Sequence, residues 1–225
     1  MYPVFVSWSG GKDCCLAAYR ARVKGFDLRY LANTVTENGD RSCSHGLAAN
    51  VIPIQAQAMG IPVVQRPTTR ETYEAEFTDM LQAFRREGIK DGVFGDIDFN
   101  AHREWIERVC QQAGITPHLP LWLESQDNLI REFIDAGFKS VVIATKAEIL
   151  GEEWLGRTID HNFVRQLEEL SQTKNITPCG EAGEYHSLVV DGPLFQKRLE
   201  ITEPEKVLRG GHRFLEINGI VLKDK

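Results

Sequence analysis

No apolar run in this sequence approaches the roughly 20 residues that a membrane-spanning helix needs. The amino terminus from Met1 to Val6 turns polar within a few residues, and no basic stretch precedes a long apolar one. A signal peptide is therefore not expected. These absences predict a cytoplasmic protein with no membrane partner.

Cysteines are few, and basic residues are fewer than acidic ones. The 5 cysteines are odd in number, and no two have the spacing C-x-x-C, which argues against a disulfide framework or a zinc ribbon. The 26 lysines and arginines are outnumbered by 32 acidic residues, giving a net charge of −6. Nucleic-acid-binding domains have the opposite balance, so a nucleic-acid partner is not expected.

Short β-branched runs alternate with helical stretches that end in glycine over the first 145 residues. Strands are predicted at 3–8, 28–35, 92–95 and 140–145, and helices include 13–24 and 45–59. This alternation predicts an α/β fold in which a parallel sheet is sandwiched by helices. Later strands, such as 213–222, follow one another without helices. We therefore predict a domain at 1–145 and a smaller C-terminal α+β portion at 146–225.

The most informative stretch is the turn Ser9-Gly10-Gly11-Lys12-Asp13, which follows the first predicted strand. Glycine lets the backbone approach an anion closely, and the next helix presents unpaired N–H groups at its start. Lysine adds a point charge. The pattern is not a Walker A loop, because the glycines are adjacent and Asp13 follows the lysine. It predicts a phosphate site; a plain turn with a helix-capping aspartate is the alternative.

This turn resembles the PP-loop motif SGGxD[ST] of the N-type ATP pyrophosphatases, with Cys14 in place of the usual Ser or Thr. The resemblance implies an adenine nucleotide alpha hydrolase-like fold of the HUP type. It also implies ATP and Mg²⁺ as cofactors, with cleavage of ATP to AMP and pyrophosphate. The implied nucleotide-binding residues are Ser7, Ser9, Gly10, Gly11, Lys12, Asp13, Cys14, His45 and Gly95. Asp13 either binds Mg²⁺ or shapes the loop.

Four further segments resemble diphthine–ammonia ligases: FGDI at 94–97, LPLW at 119–122, WLGR at 154–157 and CGEAGEYHSLVVDGP at 179–193. The implied catalytic residues are Lys12, Asp13, Asp96 and Glu184, and the implied substrate-binding residues are Arg103, Glu181, Glu184 and Tyr185. Asp96 would either hold Mg²⁺ or orient a substrate amine. Structural alternatives stay open: Asp96 as a helix cap, Arg103 in a surface ion pair, His45 as a surface histidine at a helix start, and residues 181–185 as a plain turn.

The function that this resemblance implies is an ATP-dependent amide ligase. It adenylates a carboxylate, and ammonia then attacks the acyl-adenylate. The partners would be ATP, ammonia and an acid, which is diphthine on elongation factor 2 if the resemblance extends to the substrate. The alternatives are a bacterial relative that amidates another acid, a PP-loop tRNA sulfurtransferase using Cys43 or Cys179, and a non-catalytic nucleotide-binding regulator. A homodimer is also left open.

Overall fold

The computed structural model describes residues 2–225, which form two compact units. The first contains the chain up to Ser9 together with Asp13–Leu123, and the second contains Gly10–Lys12 together with Glu124–Lys225. The division after Leu123 lies well before the boundary predicted at 145/146. The reason is that the strand predicted at 140–145 pairs antiparallel with later strands, so it belongs to the second unit.

A five-stranded parallel sheet with helices between its strands forms the first unit. The strand order is β3-β2-β1-β4-β5, which puts β1 at the centre. This confirms the predicted α/β fold class. The elements in chain order are β1 (Tyr2–Ser7), α1 (Lys12–Val23), β2 (Phe26–Thr36), α2 (Val51–Met59), β3 (Val63–Thr68), α3 (Tyr73–Arg86), β4 (Asp91–Val93), α4 (Asn100–Ala113) and β5 (Thr116–His118).

The apolar residues of β1 suit its central position in the sheet. Val4, Phe5 and Val6 are all fully buried, as expected for a parallel strand covered on both faces. The apolar stripes of α3 and α4 pack in one core cluster with Phe5. Within it the rings of Phe5 and Phe84 stack with their centroids 5.1 Å apart. This packing anchors β1, which leads into the glycine turn, in the core of the first unit.

Helix α2 begins at Val51, not at residue 45 as predicted. The preceding segment folds into a loop instead: Arg41 and Ala48 form an antiparallel bridge, and the backbone N–H of Ser42 donates to the carbonyl of Leu47 at 2.8 Å. Gly46 has a positive φ of 65°, a conformation that ends helical geometry. The predicted helix start was wrong because this loop closes on itself.

Two antiparallel sheets and two helices form the second unit. One sheet has the order β7-β6-β10-β9, and the other pairs β11 with β8. The strand predicted at 213–222 is two strands, which belong to different sheets. The elements are α5 (Gln126–Asp135), β6 (Lys139–Lys146), a 3-10 turn (Glu152–Trp154), α6 (His161–Ser171), β7 (Tyr185–Asp191), β8 (Lys197–Ile201), β9 (Pro204–Arg209), β10 (His212–Ile217) and β11 (Ile220–Asp224).

Across residues 2–225, every helix is too short or too polar to cross a membrane.

Candidate active site

The carboxyl ends of the parallel strands meet at one edge of the first unit's sheet, the edge where such sheets bind ligands. Ser7 is the last residue of β1, and Ser9 follows it. Gly95 and Asp96 follow β4, which pairs directly with β1. The fold therefore brings these four predicted residues to the same edge.

Cys14 takes the place of the motif's usual hydroxyl residue in the first turn of α1. The hydroxyl of Ser9 donates a hydrogen bond to the Cys14 sulfur, 3.4 Å away. Burial raises the pKa of the Cys14 thiol, but hydrogen bonds from Cys15 and Ser9 outweigh burial and leave this pKa below its ordinary value. The thiol thus accepts a hydrogen bond at the place where the motif has a hydroxyl. Asp13 lies beside it in the first helical turn, where the helix dipole favours a negative charge.

Gly95 lies against the start of α1. A Cβ atom added to it would stand 2.8 Å from the backbone nitrogen of Cys14 and 2.9 Å from the carbonyl carbon of Asp13. Both neighbours are backbone atoms of the helix start, so neither gives way by a side-chain rotation. Glycine at this position therefore lets the first turn of α1 pack directly on the chain after β4.

Asp96 pairs with His102, whose Nδ1 lies 3.2 Å from Oδ1 of the aspartate. It does not cap α4, because the residue at the cap position is Phe99 and no side chain caps that helix. Arg103 donates from Nε to Glu107 at 2.6 Å, and its guanidinium lies 5.2 Å from the centre of the Trp122 ring. The contact between Arg103 and Glu107 is the surface ion pair that was the structural alternative for Arg103.

His45 and Cys43 lie in the loop between β2 and α2, so His45 is not at a helix start. Cys43 is exposed, and its backbone N–H donates to the carbonyl of Thr34 at 3.0 Å. Partial burial of its sulfur raises the pKa of the Cys43 thiol. A sulfur carrier needs a thiolate, so this shift argues against Cys43 in that role.

A buried amide network at the same sheet edge was missed by the sequence analysis. Asn33 donates to the carbonyl of Trp8 at 2.8 Å and accepts from Gln65 at 3.0 Å. The indole N–H of Trp8 donates to Gln55, also at 2.8 Å. Asn33 and Gln55 are buried, and such groups are retained only with partners. Their signal in the sequence is an amide within an apolar run, in β2 and α2 respectively.

Residues 10–12 of the glycine turn belong to the second unit and run beside β7. The carbonyl of Gly10 accepts from the backbone N–H of Val189 at 3.0 Å, and the backbone N–H of Lys12 donates to the Ser187 hydroxyl at 3.2 Å. Gly10 has a φ of 84°, which glycine adopts without strain. The backbone of residues 10–12 is thereby fixed at both ends.

The Lys12 side chain is buried, with 4% of its surface exposed. Its ammonium donates to the carbonyl of Cys179 and lies 5.2 Å from the centre of the Tyr185 ring. The Tyr185 hydroxyl in turn donates to the carbonyl of Pro178 at 2.6 Å. Lys12 and Tyr185, predicted for phosphate and substrate respectively, are thus in contact with each other.

Glu184 shapes the turn that precedes β7. It is fully buried, and its two carboxylate oxygens accept from the backbone N–H groups of Thr177 at 2.5 Å and Ala182 at 2.9 Å. Both contacts hold the backbone of the turn, as the alternative of a plain turn at residues 181–185 describes. The catalytic role of Glu184 stays a prediction. Glu181, in the same turn, has an exposed side chain, and its backbone N–H donates to the Thr177 hydroxyl at 2.8 Å.

His186 is a further titratable residue beside this turn that the sequence analysis did not select. Burial lowers the pKa of its imidazole to about 4, and the positive charges of Lys12 and His212 act in the same direction. The Glu184 carboxylate opposes the shift without cancelling it. The ring is therefore neutral at neutral pH.

Over residues 2–225, His, Cys, Asp and Glu side chains form no group of three or more that could hold a metal ion. Mg²⁺ in nucleotide sites is commonly bound by one or two carboxylates together with substrate phosphates. A single carboxylate, Asp13, in the first turn of α1 fits that arrangement.

Comparison with known proteins gives matches along nearly the whole chain. The family model for the diphthamide synthase N-terminal domain matches residues 3–117, and the model for the C-terminal domain matches residues 125–222. Curated diphthine–ammonia ligases of rat and human are each 27% identical; they cover 96% and 93% of this chain, which in turn covers 91% and 86% of them. The Schizosaccharomyces pombe relative of the same name is also 27% identical, but this chain spans only 36% of it.

A solved structure, described as a predicted subunit of tRNA methyltransferase from Methanocaldococcus jannaschii, matches with a TM-score of 0.46 and 17% identity, over 86% of this chain and 98% of that one. A TM-score below 0.5 adds nothing to the fold assignment, which rests on the strand order. The family models decide the family, because the N-terminal one alone spans more than half of the chain and the C-terminal one follows it. This chain belongs to the diphthamide synthase family.

Proposed function

We propose that this protein adenylates a carboxylic acid with ATP and transfers the acyl group to ammonia, releasing AMP and pyrophosphate. Family membership makes it an ATP-dependent ligase that forms a C–N bond. The proposal adds the adenylate intermediate, the site residues and the acid. Diphthine is the acid that the names of the relatives suggest. We further propose that this diphthine is carried on elongation factor 2.

The position of the glycine turn carries this proposal. The turn follows β1, the central strand of a parallel sheet, at the edge where ligands bind, and it leads directly into α1. A helix start offers N–H groups and a favourable dipole to an anion. The Ser9 hydroxyl and the N–H groups of the turn and of the first turn of α1 hold the phosphates in our proposal.

In the first step, an oxygen of the substrate carboxylate attacks the α-phosphorus of ATP. The bond from that phosphorus to the bridging oxygen breaks, and pyrophosphate leaves. Fixed N–H dipoles stabilise the charge that develops on the phosphate oxygens. We assign Asp13 to Mg²⁺, which would enter with ATP and neutralise phosphate charge.

In the second step, ammonia attacks the acyl carbon of the adenylate, loses a proton, and AMP leaves with one of the original carboxylate oxygens. We assign Asp96 to the amine, because its carboxylate follows β4 on the ligand edge and is linked to His102. We assign Arg103, early in α4 and partly exposed, to the carboxylate of the acid.

Phosphorus NMR of the products tests the proposal. The reaction contains Mg·ATP, ammonium and diphthine-modified elongation factor 2 whose diphthine carboxylate is labelled with ¹⁸O. We expect AMP and pyrophosphate only when the acid is present, with ¹⁸O transferred to the phosphate of AMP. ADP and orthophosphate would refute the PP-loop chemistry. AMP without ¹⁸O would refute attack by the carboxylate, and turnover with another acid in place of diphthine would refute the substrate assignment alone.

A further inference from the structure

Two loop residues of the second unit, Gly10 and Lys12, make four contacts with residues between 179 and 189. Gly10 and Lys12 bind Val189 and Ser187 through their backbones, and the Lys12 ammonium contacts Cys179 and Tyr185. We call Lys12, Cys179, Tyr185 and Ser187 the Lys12 cluster. Every member is buried: Lys12 is 4% exposed and none of the other three exceeds 2%.

A lysine that neutralises phosphate presents its ammonium to the ligand as a point charge. Here the ammonium donates to a backbone carbonyl and lies over an aromatic ring, so the protein itself compensates part of the cost of burying this charge. The backbone N–H of Lys12 is likewise bonded to the Ser187 hydroxyl. One donor of the ammonium and the backbone N–H of Lys12 are thus already bonded to the protein itself.

The partners of Lys12 are themselves held in place. Glu184 fixes the turn that carries Cys179 by accepting two backbone N–H groups. The Tyr185 ring packs edge-to-face on Phe163, with centroids 5.4 Å apart, and its hydroxyl is bonded to the carbonyl of Pro178. Withdrawing the ammonium would leave the buried carbonyl of Cys179 without this donor, which is unfavourable.

We infer that Lys12 is a positioning residue, which fixes the glycine turn through Cys179 and Tyr185 rather than contacting the phosphates of ATP. The inference rests on the proposed function, because the position of the turn matters only if its N–H groups hold a nucleotide. It differs from the expectation drawn from the motif, in which the lysine charge acts on the triphosphate.

Amide hydrogen exchange in the nucleotide-free protein separates the two roles. Lys12→Met keeps the length of the side chain and removes only the ammonium, and Tyr185→Leu removes the ring beneath it. Each is expected to speed exchange at residues 10–12 and 185–189 by about tenfold or more. A lysine that acts only on bound phosphate would leave exchange in the nucleotide-free protein unchanged.

Nucleotide binding and turnover give the second readout. A misplacement of about 1 Å lowers the rate of catalysis by on the order of 10²-fold. We expect Lys12→Met and Tyr185→Leu each to lower AMP formation to that extent and to weaken ATP binding, and the double variant to be no worse than either single one. Lys12→Arg is also expected to weaken ATP binding, because a guanidinium is larger than the ammonium and Lys12 is buried. The matched control is Lys174→Met, which removes an exposed ammonium that also donates to a carbonyl, that of Ile149.

Unchanged exchange in Lys12→Met, together with activity restored by Lys12→Arg and additive effects in the double variant, would overturn the inference. If wild-type protein binds ATP but forms no AMP with any acid, the proposed function fails, while exchange and ATP affinity still decide the role of Lys12. If it binds no ATP, exchange alone decides whether Lys12 fixes the turn.

Discussion

Replacing Glu184 with glutamine distinguishes a structural carboxylate from a catalytic one. The side chain is fully buried, and its two oxygens accept from the backbone N–H groups of Thr177 and Ala182. Glutamine has nearly the same shape, but only one of its two terminal atoms accepts a hydrogen bond. In Glu184→Gln, one of the two N–H groups must therefore face an NH₂ group.

The magnitude follows from these two contacts. A hydrogen bond to a charged acceptor contributes about 1.5–3 kcal/mol, and a buried donor left unsatisfied costs about 1–3 kcal/mol. These terms overlap, because they describe the same lost bond. We expect Glu184→Gln to lower the free energy of unfolding by about 1.5–3 kcal/mol, which corresponds to a fall in Tm of roughly 3–12 °C for a chain of this size.

The assay is thermal unfolding at pH 7, followed by circular dichroism, in parallel with AMP formation. Glu181→Gln is the matched control, because it makes the same chemical change at an exposed side chain of the same turn; its Tm should change by less than about 2 °C. If Glu184→Gln kept the wild-type Tm and lost AMP formation, Glu184 would be catalytic and the structural reasoning would be refuted.

Three further predictions concern single side chains. Gly95→Ala should weaken ATP binding and cost about 1–3 kcal/mol of stability by calorimetry, because its Cβ would press on the backbone of α1. Gly25→Ala is the control for affinity: its φ of 88° makes alanine there lower stability as well, but ATP affinity should be unchanged. Cys14→Ser should keep ATP affinity within about threefold, whereas Cys14→Val, which cannot accept from Ser9, should weaken it about tenfold in a titration. His186→Gln should flatten the loss of stability between about pH 6.5 and pH 4.

The sign of the His186 effect follows from its pKa, which is about 4 in the folded protein against 6.5 when unperturbed. Between these values the unfolded chain binds a proton that the folded protein does not, so stability falls as the pH falls. This loss of stability is absent above pH 6.5 and reaches about 3 kcal/mol near pH 4. Urea unfolding at pH 7 and pH 4.5 measures it; equal losses in the wild type and His186→Gln would contradict this assignment.

The sheet of the first unit was predictable because its determinants are local. Each β-branched run followed by a helical stretch and a glycine describes one βαβ unit, and such units combine in few ways. The strand predicted at 140–145 shows the limit of prediction from local pattern. An apolar run of six residues has the same composition whether its neighbours are parallel or antiparallel, and here β6 pairs antiparallel with β7 and β10.

The same distinction between local and long-range determinants applies to the individual site residues. Ser9, Gly10 and Gly11 were predicted from the motif, because close approach of a backbone to an anion favours residues of that kind in that order. Glu184 and Tyr185 were also predicted from a motif, yet the hydrogen bonds that their side chains make here are with backbone groups near their own turn. A motif records that a residue is required at a position and does not record which atoms it contacts.

The sequence alone determined the parallel sheet, the glycine turn after its first strand and the resemblance to diphthine–ammonia ligases, since all three depend on residue order over short distances. Only the tertiary structure decided where the Lys12 ammonium lies. Its partners, Cys179 and Tyr185, are more than 160 positions away along the chain. Contacts of that separation depend on how strands pair, and no local pattern encodes them.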